Sequence, residues 1–408
     1  MKPMKTRRLV VMGTAAANPF AGMAWMHMQI ASGLHRLGHD VYYFEVSSSW
    51  PYDPIRRSLV ADSDYSAGYL ARLAGRFGLS DRWAYRRSYS DGEWLGMNRA
   101  RAEDLLASAD AVFNVSGATR ARSREGLTVS RLVWLATDPV FDDIGYVNGR
   151  KESVLLSDEH DDVVTYGENI GTALCPIPPL PRLRARTRQP VLLDLWQSGP
   201  PTRCTYTTVS NWRQLGRDVV FNGVTYSWSK HIEYEKFLLV PTRVRRSLEL
   251  AMTLVDPATI QPGPGDVVRA PGVLPVERAR LQEHGWQLTD AEPLTTDPWV
   301  YRDYVCESRG EFTVAKDQNV RLRTGWFSER SACYLAAGRP VVTQDTGFGS
   351  VLPLGEGLFA FSTIDDVVAA FEAIESDYDR HSRAARAIAE EYFRAETVLT
   401  RLLQDLSL

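Results

Sequence analysis

One stretch of the chain, residues 324–350 with the sequence TGWFSERSACYLAAGRPVVTQDTGFGS, limits the fold more than any other. Ser328 is a typical helix N-cap, and the residues after it suit a helix that ends at Gly338, since Pro340 prevents its continuation. Residues 341–343 predict a short buried strand, and residues 345–349 predict a flexible glycine loop. The stretch therefore predicts one helix–strand unit of a parallel α/β sheet.

The start of this helix is a candidate anion site. The first backbone N–H groups of a helix have no partner within it, and the helix dipole is positive at that end. Residues 328–330 would therefore suit a phosphate group, over which the glycine loop is expected to close. The alternative is an ordinary helix–strand unit that binds no ligand.

The motif Ala-Ala-Gly-x-Pro-Val-Val, followed by an acidic residue and a glycine loop, resembles the donor half of GT-B glycosyltransferases. Together with Ser308-Arg309-Gly310-Glu311-Phe312, residues 325–348 are similar to the bacterial family-one-like, spore-coat-type branch. The resemblance covers most of the chain. It implies an α/β protein with two Rossmann-like, doubly wound parallel-sheet domains that face a cleft.

Size and composition agree with two domains and exclude several function classes. A chain of 408 residues with 44% hydrophobic residues has enough material for two cores. A net charge of −3 argues against a nucleic-acid partner. The four cysteines lack Cys-x-x-Cys spacing, so neither a zinc site nor a disulfide framework is indicated. No apolar run approaches membrane-spanning length, which predicts a cytoplasmic protein without membrane insertion.

The clearest domain boundary is rich in proline. Four of the six residues 176–181 are proline, which favours a stiff, extended linker. We therefore predict an acceptor-binding domain at residues 1–178, a linker at 179–190 and a donor-binding domain at 191–380. Residues 381–408 are predicted to form a helix that crosses back to the first domain, as GT-B proteins commonly have. Within the second domain, residues 243–256 are read as a helix and residues 262–266 as a turn.

The first strand and helix lack the fingerprint of a dinucleotide-binding enzyme. Residues 8–13 read as a strand, but only Gly13 and Gly22 occur in the loop and helix start that follow. Gly-x-Gly-x-x-Gly is therefore absent, although Glu45 lies near the end of the second strand. This observation argues against a Rossmann dehydrogenase.

Two residues are candidates for the catalytic base. Inverting GT-B enzymes place a histidine where this chain has Met23, and His27 lies one helical turn later. Asp138 is expected at the carboxyl end of a strand, where ligands of parallel sheets collect. The alternatives are a packed or exposed histidine and a turn-forming Asp before proline.

The acceptor is expected to contact the first domain. Residues 47–98 are rich in aromatic and arginine side chains, and such loops often bind ligands; the alternative is a partly helical subdomain with its own core. The acceptor-site candidates are Gly22, Met23, Trp50, Tyr52, Trp94 and Gly117.

The donor is expected to contact the second domain. The resemblance implies that Lys230, Arg309 or Lys316 and the start of the helix at Ser328 bind the diphosphate, and that Glu311 and Asp345 bind sugar hydroxyls. The full set of donor-site candidates is Asn211, Lys230, Arg309, Glu311, Lys316, Ser328, Arg330, Ser331, Asp345, Thr346, Gly347 and Phe348. The Glu-x(7)-Glu pair of many retaining relatives is missing, because Gly325 and Cys333 occupy its positions.

The resulting hypothesis is sugar transfer from a UDP- or dTDP-linked donor to a hydroxyl or amine of a small molecule or natural product. Cations and a helix N-terminus would stabilise the leaving diphosphate, so neither a metal nor another cofactor is expected. A nucleotide-sugar 2-epimerase and a non-catalytic sugar-nucleotide-binding protein are the alternatives. Nothing in the sequence selects between a monomer and a homodimer.

Overall fold

The computed structural model describes residues 5–254 and 272–408, and within them the chain forms two parallel β-sheets flanked by helices. The predicted turn at residues 262–266 lies outside the described residues. The two sheets confirm the predicted fold class of two Rossmann-like domains.

The first domain has an eight-stranded sheet in the order β10-β9-β8-β7-β1-β2-β5-β6, parallel except for the short edge strand β6. Its strands, with the separate β3–β4 hairpin, are β1 (Arg8–Met12), β2 (Asp40–Ser47), β3 (Tyr52–Asp53), β4 (Ser58–Leu59), β5 (Trp83–Arg87), β6 (Trp94–Leu95), β7 (Ala111–Val115), β8 (Leu132–Ala136), β9 (Asp162–Thr165) and β10 (Leu183–Arg186). Its helices are α1 (Ala21–Arg36), α2 (Asp64–Arg76), α3 (Arg99–Ser108), α4 (Phe141–Val147) and α5 (Lys151–Glu159).

The second domain has a six-stranded parallel sheet in the order β15-β14-β11-β16-β17-β18. Its strands, with the β12–β13 hairpin, are β11 (Thr205–Val209), β12 (Val219–Phe221), β13 (Val224–Tyr226), β14 (Ser247–Met252), β15 (Gln287–Asp290), β16 (Gly310–Thr313), β17 (Val341–Gln344) and β18 (Leu358–Phe361). The helices that follow the first domain are α6 (His231–Lys236), α7 (Val240–Arg243), α8 (Pro275–Glu283), α9 (Ala291–Thr295), α10 (Pro298–Glu307), α11 (Asp317–Arg321), α12 (Glu329–Ala336), α13 (Ile364–Ser376), α14 (Tyr378–Ile388) and α15 (Ala395–Asp405).

The helix predicted for residues 243–256 is wrong, because Ser247–Met252 form strand β14 inside the sheet. Leucine, alanine and methionine favour helices in isolation, and this led to the helix prediction. Their apolar side chains are instead buried between two neighbouring parallel strands, β11 and β15. Tertiary packing therefore overrides the local preference.

The predicted linker contains the last strand of the first sheet. Leu183–Arg186 pair with β9 as strand β10, at the sheet edge. An edge strand tolerates the neighbouring prolines, because one side of it has no ladder hydrogen bonds to lose. The predicted linker at 179–190 thus belongs in part to the first domain.

The C-terminal segment packs on the first domain. The single helix expected there is divided by a π-helical turn, Ala389–Phe393, into α14 and α15. Helix α15 lies against α1: a Cβ atom placed on Gly33 would come within 2.5 Å of Leu399. Glycine at position 33 therefore permits the close approach of the two helices.

An apolar core joins the two domains through α1. The Trp25 ring packs against Trp196 and Trp299, with centroid separations of 4.6 and 5.4 Å, and its indole N–H donates to the Pro298 carbonyl at 2.9 Å. The same continuous core includes Cys333 of α12. The first domain thus lies directly against the helix singled out from the sequence.

Candidate active site

A small cavity lies at the carboxyl ends of β16 and β17, beside the start of α12. Its lining includes five residues predicted from the sequence to bind the donor: Lys230, Ser328, Arg330, Thr346 and Phe348. Crevices at the carboxyl ends of parallel strands are the usual ligand sites of open α/β sheets. The structure therefore brings together donor-site candidates that are up to 118 positions apart in the sequence (348 − 230).

Lys230 is the lysine that lines this cavity. The residue is only 7% exposed, and its ammonium forms no hydrogen bond or ion pair within residues 5–254 and 272–408. Burial, and then the nearby positive charges of Arg330 and Lys316, lower the pKa of Lys230 well below its usual value. The carboxylates of Glu311 and Asp138 oppose these effects only in part, and an anion in the cavity would raise the pKa of Lys230 further.

The start of α12 is also uncapped. Ser328 occupies the predicted N-cap position, but its side chain makes no capping hydrogen bond. The hydroxyl of Ser331, in the first turn, is buried and unpartnered within the described residues. The helix start thus offers donors to a ligand at the cavity.

Arg330 connects the strands beneath the cavity. Its guanidinium forms an ion pair with Glu311 and donates to the Val209 carbonyl at 2.8 Å and to the Thr313 hydroxyl at 2.9 Å. These contacts join β11 to β16, the pair of strands at which the chain order of the sheet reverses. The sequence predicted that Arg330 and Glu311 bind the donor; the structure shows that they bind each other, although one Glu311 oxygen, Oε2, has no partner among the described residues.

Lys316 and Asp138 meet across the cleft. Lys316 Nζ lies 2.5 Å from Asp138 Oδ2 and 3.1 Å from the centre of the Trp228 ring. The other oxygen of Asp138, Oδ1, is buried without a hydrogen-bond partner in the described part of the chain. A predicted donor-site residue of the second domain is therefore paired with a predicted base of the first.

Known structures have a similar overall fold. HepE of Anabaena in complex with UDP and glucose is similar over 98% of this chain and 99% of its own, with 12% identity and a TM-score of 0.54. Sucrose-phosphate synthase of Thermosynechococcus elongatus matches over 98% of both chains, with 12% identity and a TM-score of 0.51. AviGT4, a glycosyltransferase involved in avilamycin A biosynthesis, covers 97% of this chain and 96% of its own, with 11% identity and a TM-score of 0.50.

The chain has the GT-B fold. No protein-family model matches it, and no curated protein does. Within this GT-B fold the residues that line the cavity belong to the second domain, and Asp138 of the first domain pairs with Lys316 beyond that lining.

His27 does not face the cleft of the GT-B fold, contrary to its prediction as a catalytic base. Its ring is fully buried against Gly13, with Nδ1 donating to the Met23 carbonyl at 2.6 Å and Nε2 accepting from the Thr14 amide at 3.4 Å. Burial lowers the pKa of His27 to about 4. The histidine is therefore a neutral packing residue beneath the first loop, the alternative noted from the sequence.

The side chain of Glu45, in β2, contacts the loop at which a dinucleotide would bind in a Rossmann dehydrogenase. Its carboxylate accepts from the Ala16 and Ala17 amides at 2.6 and 3.0 Å and from the Tyr43 hydroxyl at 2.9 Å. These backbone donors are therefore unavailable to a pyrophosphate, in agreement with the missing glycine fingerprint. Burial raises the pKa of this carboxyl to about 7.

A pH-dependent contribution to stability follows from Glu45. Its pKa rises from 4.5 to about 7 on folding, so the folded state binds the proton more tightly and its stabilising effect is lost as the pH rises from about 4.5 to 7. The change should approach about 3 kcal/mol. Urea denaturation of Glu45→Gln and wild type at pH 4.5 and 8 isolates this contribution: the wild type should lose more stability than the variant. Equal losses would contradict the assignment.

Two residues predicted to contact the acceptor, Trp94 and Tyr52, are buried. Trp94 is buried in the core of the first domain, where its ring packs edge-on against Phe44 with a centroid separation of 5.9 Å. Tyr52 is buried as well, and its hydroxyl donates to Glu292 of the second domain at 2.6 Å. Residues 47–98 contain helix α2 and the sheet strands β5 and β6, and their buried side chains pack into the cores of the first domain and form no separate core among the described residues.

Other acceptor-site candidates remain at the carboxyl edge of the first sheet. Trp50 is half-buried in the loop after β2. Gly22 and Met23 are half-buried in the first turn of α1, and a Cβ on Gly22 would meet no neighbouring atom. Gly117 follows β7 in a left-handed conformation with φ of 62°.

Arg309 lies at the wrong end of its strand to bind the donor. It precedes β16, whereas the cavity follows that strand. Its guanidinium makes a two-bond ion pair with Glu375, both distances being 2.7 Å, and lies over the Tyr378 ring. Arg309 is therefore a structural residue. Asn211, another donor-site candidate, is exposed just beyond β11.

The predicted flexible loop after β17 is held in place by the first domain. Asp345 pairs with Arg323 at 3.1 Å and accepts from the Gly347 amide at 2.7 Å, while Asn169 donates to the Gly347 carbonyl at 3.0 Å. Sequence reasoning missed Asn169. Its position in the Gly-Glu-Asn-Ile-Gly segment after the last predicted strand of the first domain was the available signal, since ligands and loops meet at such ends.

The described residues contain no group of histidine, cysteine and acidic side chains that would hold a metal ion. The sequence contains two Asp-x-Asp triplets, at residues 62–64 and 377–379, and neither is part of a metal-binding group in the described structure. They lie at the starts of α2 and α14, where Ser63 and Asp377 take the N-cap positions. Among the described helices, none is both long and apolar enough to cross a membrane.

Proposed function

We propose that the protein is a glycosyltransferase that uses a nucleoside-diphosphate sugar. The observation that carries this proposal is Lys230, a buried lysine beside the uncapped start of α12 whose ammonium has no hydrogen-bond or ion-pair partner among the described residues. A cation and a helix N-terminus together suit a diphosphate. HepE was solved with UDP and glucose and has the same fold, which supports the choice of a nucleotide sugar.

In the proposed reaction the diphosphate lies between Lys230 and the first turn of α12, where Ser328 and Arg330 line the cavity. Negative charge grows on the diphosphate as the sugar bond breaks, and these groups stabilise it without moving. Lys316 is next to Lys230 and is paired with Asp138. We assign the base role to Asp138, which takes the proton from the acceptor hydroxyl or amine, because His27 is turned away from the cleft.

The acceptor proposed here is a small molecule or natural product. It would approach from the first domain, past Trp50 and the first turn of α1, since those groups lie at the carboxyl edge of the first sheet. AviGT4, which has the same fold, is a glycosyltransferase of avilamycin A biosynthesis, and this supports a natural-product acceptor.

The proposal is tested by calorimetric titration with UDP, dTDP, GDP and ADP, with NAD as a control. One nucleoside diphosphate should bind, and Lys230→Ala should weaken its binding about 10- to 100-fold, as expected for the loss of about 1.5–3 kcal/mol from a charged hydrogen bond. Lys151→Ala, which removes an exposed lysine of α5, should leave the affinity unchanged. Binding of NAD alone, or no binding, would contradict the proposal. Turnover of the bound nucleotide sugar without an acceptor would instead indicate an epimerase.

A further inference from the structure

Asn169 lies in the loop after β9, and the hydrogen bonds of its side chain are with residues of the second domain. Its Nδ2 donates to the carbonyls of Arg323 and Gly347, both at 3.0 Å, and its Oδ1 accepts from the Ser350 hydroxyl at 2.8 Å. Its backbone amide donates to the Thr324 carbonyl at 2.9 Å. The residue is only 2% exposed. One first-domain residue therefore connects two separate segments of the second domain.

Two glycine turns are shaped around this side chain. Gly325 and Gly347 have φ values of 74° and 88°, a backbone region that other residues rarely adopt. A Cβ on Gly325 would lie 2.9 Å from Asn169 Cγ, and a Cβ on Gly347 would lie 2.8 Å from Asn169 Nδ2. Both turns therefore require glycine, because φ is positive and because the Asn169 side chain occupies the position that a Cβ atom would take.

The same turns carry part of the cavity wall. Trp326 and Phe327 follow the first glycine, Thr346 and Phe348 flank the second, and all four line the cavity. The turns are also joined to each other, because the Gly325 amide donates to the Thr346 carbonyl at 2.8 Å. The position of Asn169 therefore sets the position of this wall.

We propose that Asn169 is a positioning residue for sugar transfer, which fixes the wall of the donor site from the acceptor-binding domain. This inference rests on the proposed function. Lys230 and the start of α12 hold the diphosphate without Asn169, whereas the wall that orients the donor sugar is complete only when the first domain is in place. Loss of Asn169 should therefore reduce turnover and leave nucleoside-diphosphate binding intact.

Asn148 provides a matched control. It is also an asparagine of the first domain that reaches the second, since its Nδ2 donates to the Val220 carbonyl at 2.8 Å. Its contact is with the β12–β13 hairpin, outside the cavity lining. A general loosening of the two domains should therefore affect both asparagine variants, whereas a loss of positioning should affect only Asn169.

The experiment compares Asn169→Ala and Asn148→Ala with wild type. The readouts are the Kd of the nucleoside diphosphate selected by the titration above and the kcat and KM for its sugar conjugate. Asn169→Ala should lower kcat about 100-fold, the effect of a misplacement of about 1 Å, with the diphosphate Kd within twofold of wild type. Asn148→Ala should leave both values near wild type. Equal kcat losses in the two variants, or a parallel loss of diphosphate affinity, would overturn the proposal.

A milder variant keeps the inference testable if Asn169→Ala does not fold. Ser350→Ala removes, at an exposed position, the hydroxyl that contacts Asn169 Oδ1 and the Gly347 carbonyl, and it leaves the bonds that Asn169 donates in place. It should lower kcat several-fold with an unchanged diphosphate Kd, and an unchanged kcat would contradict the proposal. If wild type binds none of the four nucleoside diphosphates, the proposed function fails, and this inference fails with it. If wild type binds and turns over and the variants match it, only the inference on Asn169 fails.

Discussion

Replacing Arg330 with methionine is expected to lower the free energy of unfolding by about 3–5 kcal/mol. The reason is Glu311, which is fully buried and would lose the guanidinium that pairs with it. The Val209 carbonyl and the Thr313 hydroxyl would lose donors as well. Urea denaturation monitored by tryptophan fluorescence measures this change.

The double variant Arg330→Met/Glu311→Gln separates loss of the ion pair from loss of packing. Because it also removes the buried negative charge, it should be more stable than Arg330→Met alone. Arg380→Met is the surface control, since its pair with Glu356 is half-exposed and should contribute little. A double variant no more stable than Arg330→Met would contradict the electrostatic explanation.

Asp138→Asn is expected to change catalysis and donor binding in opposite directions. Because Asp138 is the proposed base, Asp138→Asn should lower kcat about 100- to 10,000-fold. The same substitution removes the partner of Lys316, so a buried cation becomes available to the diphosphate, and the Kd for the nucleoside diphosphate should fall. Initial rates at saturating donor and calorimetric titration measure the two effects.

Asp158→Asn is the control for this prediction, because Asp158 is an exposed residue of α5 in the same domain. It should leave both kcat and the diphosphate Kd unchanged. An unchanged kcat in Asp138→Asn would remove Asp138 as the base. Weaker diphosphate binding in that variant would show that the ion pair with Lys316 supports the donor site and does not compete with it.

Local sequence signals located the helix beside the cavity. Ser328, Gly338 and Pro340 mark the ends of α12 by capping and steric rules that act within a few residues. The position of Lys230 came from the resemblance, and the structure places it at the cavity. The uncapped helix start and the missing partner of Lys230 are properties of the folded chain and were not visible in the sequence.

The acceptor side was predicted less well, because aromatic side chains look alike in a core and in a binding loop. Trp94 and Tyr52 were taken as ligand contacts, but one packs on Phe44 and the other donates to Glu292. His27 lies one helical turn after Met23, as the prediction required, yet its ring nitrogens are hydrogen-bonded to the Met23 carbonyl and the Thr14 amide. Only burial and hydrogen-bond partners distinguish these cases.

The sequence by itself determined the α/β class and the helix–strand unit beside the cavity, because periodicity, capping and turn rules depend on neighbouring residues. It did not determine the strand at Ser247–Met252, where burial inside a sheet overrides helix preference. Nor did it reveal the contacts of Asn169 or the pairing of Asp138 with Lys316, which join residues more than 150 positions apart. Such contacts depend on how the two domains pack, and only the tertiary structure decides that.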